Sequence, residues 1–393
     1  MRALVYLGPG SAALQDRPDA QLLNGDDVVV EVVGTGVCGT DRKILLGRFP
    51  ARPGVVLGHE SVGVVRAAGP QVRAVAVGDR VVVNPTLYCG WCVPCRRGAT
   101  NFCRHKTGTE VGVDRDGTYA ERVTLPERFV VPVPAGLSFR AAVLIEPLAC
   151  VLNNVGAAAV SFDDTVVVLG AGPIGMLTAL VAARQARRVV VAEQDGYRLG
   201  LAREQFAHVV DVAGADAAEA VLKASDGERP SLVFDTTGVG LDAALRLVDD
   251  GGRIVVMGFD DAYAVPLHPL KLTNRGISLI GAGDYRADIF PVAVDLAAEL
   301  CRPGSADGGV PFLERLVTHE FPLERYEDAF AALGGLVRRA PGTGGGDPGG
   351  RTDAAGPDGG ERVPGPPPGY GALKVVIRSH AGPVGADGWP VGA

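Results

Sequence analysis

Short apolar runs broken by Gly, Pro and charge set the texture of the first 149 residues. Met1 to Leu7, Asp27 to Val33, Gly63 to Arg66 and Arg80 to Val83 read as strands, which predicts a compact, mostly β unit over 1–149. From about 150 to 285 the pattern alternates between β-like runs (Thr165 to Leu169, Val189 to Ala192, Leu232 to Asp235, Arg253 to Met257) and Ala-rich helical stretches such as Met176 to Arg184. That alternation predicts a parallel sheet with helical crossovers, hence an α/β fold. After Gly281, helices are expected at Pro291 to Leu300 and Arg325 to Leu333, and a strand at Leu373 to Ile377. Between them, residues 336–370 are dominated by Gly, Pro, Asp and Arg and hold too little apolar surface to order themselves, so they read as a disordered insertion within a last segment spanning 286–393. A tolerated surface expansion accounts for them more simply than a regulatory role.

The chain has 393 residues, long for one core and comfortable for two. It is 47% hydrophobic and 21% charged, with mean hydropathy +0.19, and its apolar runs are short, so no membrane span is expected. The amino-terminal residues lack the pattern of a secretory signal, which favours the cytoplasm. A net charge of −7 and a pI near 5.5 argue against nucleic-acid and anionic-membrane partners.

Val166 to Leu169 leads directly into Gly170-Ala171-Gly172-Pro173-Ile174-Gly175 and an Ala/Leu helix, a G-x-G-x-x-G turn in the context that a dinucleotide requires. Gly170 permits the turn, Gly172 lets backbone approach a pyrophosphate, and Gly175 lets helix and strand pack closely; the helix amino terminus supplies N–H donors. A second strand ends in Glu193, placed to accept hydrogen bonds from the adenosine ribose. A carboxylate there repels a 2′-phosphate, and no Arg or Lys follows before Arg198, so NAD is favoured over NADP.

Seven cysteines in a cytosolic chain make a disulfide framework a poor reading. Cys89, Cys92, Cys95 and Cys103 offer four thiolates, a closed set that suits a structural zinc. A second constellation is dispersed: Cys38, His59 with Glu60, and Glu146. One thiolate, one imidazole and one carboxylate would leave an open metal position. Sequence distance alone cannot bring them together, and singly they read as a small hydrophobe, a core histidine and solvated charges.

The succession Gly34-Thr-Gly-Val-Cys38-Gly-Thr40-Asp41, then Gly58-His59-Glu60, the four-cysteine lobe, Glu146-Pro-Leu and the glycine turn resembles the zinc-containing medium-chain alcohol and polyol dehydrogenases, closest to the glucose, threonine and sorbitol dehydrogenase branch. The resemblance implies a GroES-like catalytic domain made from both ends of the chain, with a Rossmann domain, a doubly wound parallel sheet, between them. It implies two zinc ions per chain and a catalytic zinc on Cys38 and His59, with Glu60 and Glu146 both candidates for the third position. Thr40 would relay the substrate proton and Asp41 would orient the histidine. Lys43 stands where some relatives carry a histidine that ends the relay, which weighs against a threonine dehydrogenase. Asn84 and Glu110 fall where glucose dehydrogenases hold sugar hydroxyls, whereas Cys150 replaces an acidic contact of the glucose-specific members and reads more simply as helix packing.

The expected reaction is hydride transfer between a secondary alcohol of a sugar, polyol or cyclitol, or the corresponding ketone, and NAD(P), in a homodimer or homotetramer. The alternatives are an L-threonine or simple secondary-alcohol dehydrogenase, a zinc-free reductase, and an inactive nucleotide-binding protein on the same scaffold.

Overall fold

The computed structural model describes residues 1–106, 108–302, 310–333, 372–379 and 389, so the expected insertion at 336–370 lies outside the described residues. A seven-stranded mixed sheet carries the first half of the chain. Its order is Val317–Pro322, Lys374–Arg378, Asp27–Gly36, Glu60–Ala68, Arg80–Val83, Val130–Pro132, with Arg122–Pro126 paired to the start of the Asp27–Gly36 strand. The pair Val317–Pro322 and Lys374–Arg378 is parallel and the other pairs are antiparallel. Two strands from the last third of the chain therefore complete a sheet begun by the first.

The second sheet is wholly parallel, in the order Val209–Asp211, Arg188–Glu193, Thr165–Leu169, Leu232–Asp235, Arg253–Val256, Ser278–Ile280. Numbered along the chain this is 3-2-1-4-5-6, the order of the dinucleotide-binding doubly wound sheet, whose ligand crevice lies where the order reverses. The reversal falls between Thr165–Leu169 and Leu232–Asp235, and Gly170 stands at its mouth.

Helix Ile145–Ala158 joins the two sheets. Leu148 and Val151 belong to one continuous core with Val33, Val62 and Val82 of the mixed sheet and with Val168, Met176 and Phe290 of the parallel layer. Burial of those side chains at about 25 cal/mol per Å² fixes the helix against both layers.

The strands at 80–83, 165–169 and 232–235 fall where the pattern predicts. The central strand runs to Gly36 instead of Val33, because Gly34, Thr35 and Gly36, two glycines of low strand preference around one threonine, pair on both sides with Lys374–Arg378 and Glu60–Ala68. The helix after the glycine turn starts at Pro173 instead of Met176, since proline fits a first helical turn. Strand Val317–Pro322 was not expected, and of helix Ile145–Ala158 only the helical packing of Cys150 was. Among the described residues no helix is long and apolar enough to cross a membrane.

A Cβ on Gly175 would collide with the Gly170 carbonyl oxygen and would come within 2.9 Å of Thr236 Oγ1. Gly175→Ala is therefore expected to cost about 1–3 kcal/mol in urea unfolding and to weaken nucleotide binding, measured by fluorescence titration with NADH.

Candidate active site and cysteine lobe

Cys38 follows the end of the central strand by two residues and caps helix Gly39–Leu45. Its Sγ accepts from Thr40 N–H at 3.4 Å, and the Asp41 carboxylate reaches back to accept from Cys38 N–H at 3.0 Å. Glu60 begins the next strand with His59 just before it, and Gly36 pairs with Glu60 in register. Donor atoms of Cys38, His59 and Glu60 consequently lie within 4.8 Å of one another.

Asp41 is fully buried. One of its oxygens accepts from the Tyr119 hydroxyl at 2.8 Å and the other lies 3.4 Å from His59 Nδ1, which leaves Nε2 for the ligand side of the ring. Burial would lower the His59 pKa, but the negative charge of Asp41 beside it outweighs burial and holds the imidazole well above its ordinary range. Burial likewise opposes ionisation of Asp41, and the same partnership with His59 keeps its carboxyl below the usual value.

Lys374 was not foreseen. Its ammonium pairs with Glu60 Oε2, both residues being buried. Burial lowers the lysine pKa and the Glu60 charge more than restores it. A Cβ on Gly36 would collide with both Glu60 and Lys374, so glycine is the residue that lets the pair seat there. The available signal was a lysine inside the apolar run Leu373 to Ile377.

Glu146 lies on the bridging helix and outside the compact triad. Burial and then the Glu60 charge push its carboxyl up to about 7. Cys150, one turn on, places Sγ 3.8 Å from Glu146 Oε1, and burial pushes its thiol well up. Asn84 is buried, and its Oδ1 accepts from the Tyr285 hydroxyl at 3.2 Å and from Thr86 N–H at 3.1 Å. Glu110 lies 3.7 Å from Lys106, which also pairs with Asp284, and neither of these last two was foreseen. Lys43 does not extend a path from Thr40: its ammonium meets the Phe259 carbonyl and stands 3.3 Å from the centre of the Phe259 ring.

The four cysteines of the 89–103 lobe also converge. Sγ separations are 3.4 Å for Cys92–Cys95 and 3.9 Å for both Cys92–Cys103 and Cys89–Cys95. A tetrahedron with Zn–S distances of about 2.3 Å has edges of about 3.8 Å, so the thiols fit that ion. Thiols this crowded do not ionise alike. Against the cost of burial, backbone N–H donors lower Cys92 to about 6, whereas burial lifts Cys95 to about 12. Shared negative charge of this kind is what a divalent cation relieves.

At the other sheet, Gly172 caps helix Pro173–Ala182 with no side chain on its first N–H groups, and Ile174 follows at the second helical position. Glu193 braces this turn: it accepts from Ala171 N–H at 2.7 Å and from Gln194 and Asp195 N–H at 2.7 and 2.9 Å. Arg198 Nη1 sits 3.9 Å from where a Cβ on Gly172 would be, and Nη2 donates to the Ala372 carbonyl at 3.2 Å, two residues before Lys374.

Asp41→Asn is expected to weaken metal binding at the Cys38/His59 site about 10–100-fold, measured by competition with a chromogenic chelator, with retention by the four-cysteine lobe unchanged.

Residues 24–135 match the alcohol dehydrogenase GroES-like domain, and residues 173–299 match the zinc-binding dehydrogenase domain. D-arabitol-phosphate dehydrogenase of Enterococcus avium is 31% identical over 78% of this chain and 86% of its own length. D-arabinitol dehydrogenase 1 of Uromyces fabae is 32% identical over 84% and 93%. A structure from Sinorhizobium meliloti 1021 described as a zinc-binding dehydrogenase, bound to NADP, superposes with a TM-score of 0.78 at 26% identity, covering 96% of this chain and 98% of that one. The paired sheets, the two donor clusters and the glycine turn are thus those of a known group, and the chain belongs to the zinc-containing medium-chain alcohol and polyol dehydrogenase family.

Proposed function

We propose that this enzyme oxidises a secondary hydroxyl of a sugar, polyol or cyclitol to the ketone, or runs the reverse reduction, with NAD preferred over NADP. The observation that carries the reading is the convergence of Cys38, His59 and Glu60 donors within 4.8 Å, on a core continuous with the layer that bears the glycine turn. The names of the D-arabitol-phosphate and D-arabinitol dehydrogenases support a polyhydroxylated substrate. Residues 1–149 and 286–393 would form the catalytic unit and 150–285 the nucleotide unit. A cytoplasmic location and assembly as a homodimer or homotetramer belong to the same proposal.

Cys38, His59 and Glu60 would hold the catalytic zinc with Glu146 at its margin, and Cys89, Cys92, Cys95 and Cys103 a structural one. Bound there, the catalytic zinc supplies Lewis acidity toward a hydroxyl or carbonyl oxygen. Asp41 keeps the His59 ring oriented, and Lys374 balances the Glu60 charge. The Thr40 hydroxyl both donates and accepts, so it would take the proton that the substrate oxygen gives off while releasing its own toward solvent, staying neutral itself. The glycine turn and the helix amino terminus hold the dinucleotide pyrophosphate, with Arg198 beside them. Glu193 meets the ribose hydroxyls and repels a 2′-phosphate. The balance is an alcohol and NAD⁺ giving a ketone, NADH and a proton.

Purified enzyme incubated with NAD and a panel of polyols, aldoses, cyclitols, L-threonine and simple secondary alcohols should form NADH fastest with a polyhydroxylated compound; turnover of simple alcohols or L-threonine alone would reject the reading. Glu193→Ser should raise the ratio of kcat/KM with NADP to that with NAD by about tenfold or more, since it removes a like charge from the 2′-phosphate.

A further inference from the structure

Beyond Glu146, beside the bridging helix, stands a set of charges that the reaction itself does not use. Lys106 follows the last cysteine of the four-cysteine lobe, and its ammonium pairs with Asp284 and lies 3.7 Å from Glu110. The three side chains are 19%, 25% and 35% exposed respectively, so they border accessible space without being loose surface groups.

Their position is tied to the site through helix Ile145–Ala158. Glu146, Cys150 and Asn153/Asn154 recur at the spacing of one helical face. Asn153 Nδ2 donates to the carbonyls of Ala282 and Asp284 at 3.1 and 2.7 Å, and Asn154 Nδ2 to that of Gly283 at 3.2 Å. From the other side, Asn101 Nδ2 donates to the Ala282 carbonyl at 3.2 Å and Thr100 Oγ1 accepts from Ala287 N–H at 2.7 Å. The segment bearing Asp284 is therefore clasped between the bridging helix and the cysteine lobe. Seven residues of helix separate Glu146 from Asn153, about 10 Å along the axis, and the Asp284 charge still bears on Glu146 and Cys150, so the set stands at the edge of the candidate site.

One ammonium faces two carboxylates here, a net charge of −1. Such a set offers donors and acceptors to hydroxyl groups, but a phosphate monoester, which brings a charge of about −1.5 to −2, meets an ammonium already matched and a carboxylate in excess. Lys374, the other buried ammonium near the triad, is likewise engaged by Glu60. We infer that Lys106, Asp284 and Glu110 form a specificity wall that admits neutral polyols and excludes their phosphate esters. This inference rests on the dehydrogenase reading above and sets the chain apart from its D-arabitol-phosphate-named relative.

The test compares zinc-loaded wild type, Asp284→Asn, the double variant Asp284→Asn/Glu110→Gln, and Lys106→Met, with D-arabitol and sorbitol set against D-arabitol phosphate and sorbitol 6-phosphate. Both kcat/KM and calorimetric binding to the enzyme–NAD complex are read, with melting temperature and zinc content as folding controls. Wild type should prefer the free polyols, and the double variant should shift the ester-to-polyol ratio at least about tenfold toward the ester, mainly through KM. That gain should shrink at high ionic strength and be absent in Lys106→Met. A wild type that binds the esters as tightly as the free polyols, or variants that lose both substrates by the same factor, would overturn the inference. Absence of turnover on every polyol in every variant would count against the dehydrogenase reading, while the binding ratios would still decide the charge wall.

Discussion

The register of strand Asp27–Gly36 against its two neighbours is the constraint on which the candidate site depends. Gly36 stands opposite Glu60 on one side and Val376 on the other, and Cys38 follows two residues later. Because side chains alternate across a sheet, a slip of this strand by one residue would reverse its faces and carry Cys38 out of register with His59, Glu60 and Lys374. The register is held by Val28, Val30 and Val32 on one face and Val33 on the other, all buried, so apolar packing places the polar donors.

Polar groups placed this way must be matched, since an unpaired buried charge is costly. The matching is local and nested: Tyr119 holds Asp41, Asp41 faces His59, and Lys374 meets Glu60. Each partner comes from a different part of the chain, and together they make the triad of donors a prearranged feature of the fold. The nucleotide side follows the same principle. Glu193 ties the second strand of the parallel sheet to the glycine turn, and Arg198 spans from that turn to the backbone just before Lys374. The two sheets thus meet at the point where cofactor and metal chemistry must meet.

Much of this was legible in the sequence because it is local. The strand, glycine turn and helix at 165–182 announce themselves by periodicity, and four cysteines within fifteen residues announce their cluster. The dispersed donors Cys38, His59 and Glu60 were legible only through the order of their motifs, since nothing local to any one of them points to the others. The exact reach of the central strand was masked by Gly34 and Gly36, residues with low strand preference that are present because Trp389, Glu60 and Lys374 pack against them. Lys374, Lys106 and Asp284 act through partners far away in the chain. Only Lys374 left a local trace, a charge within an apolar strand.

The measurement that bears most directly on these assignments is the zinc content of the purified chain by mass spectrometry, made in parallel on the Cys38→Ser and Cys95→Ser variants. Two zinc ions per chain in wild type are expected. Cys38→Ser should keep one ion, a normal far-ultraviolet spectrum and no NADH formation, and Cys95→Ser should lose the ion of the lobe. A wild type that holds a single zinc, or a Cys38→Ser variant that retains both ions and full activity, would contradict the placement of catalysis at Cys38, His59 and Glu60.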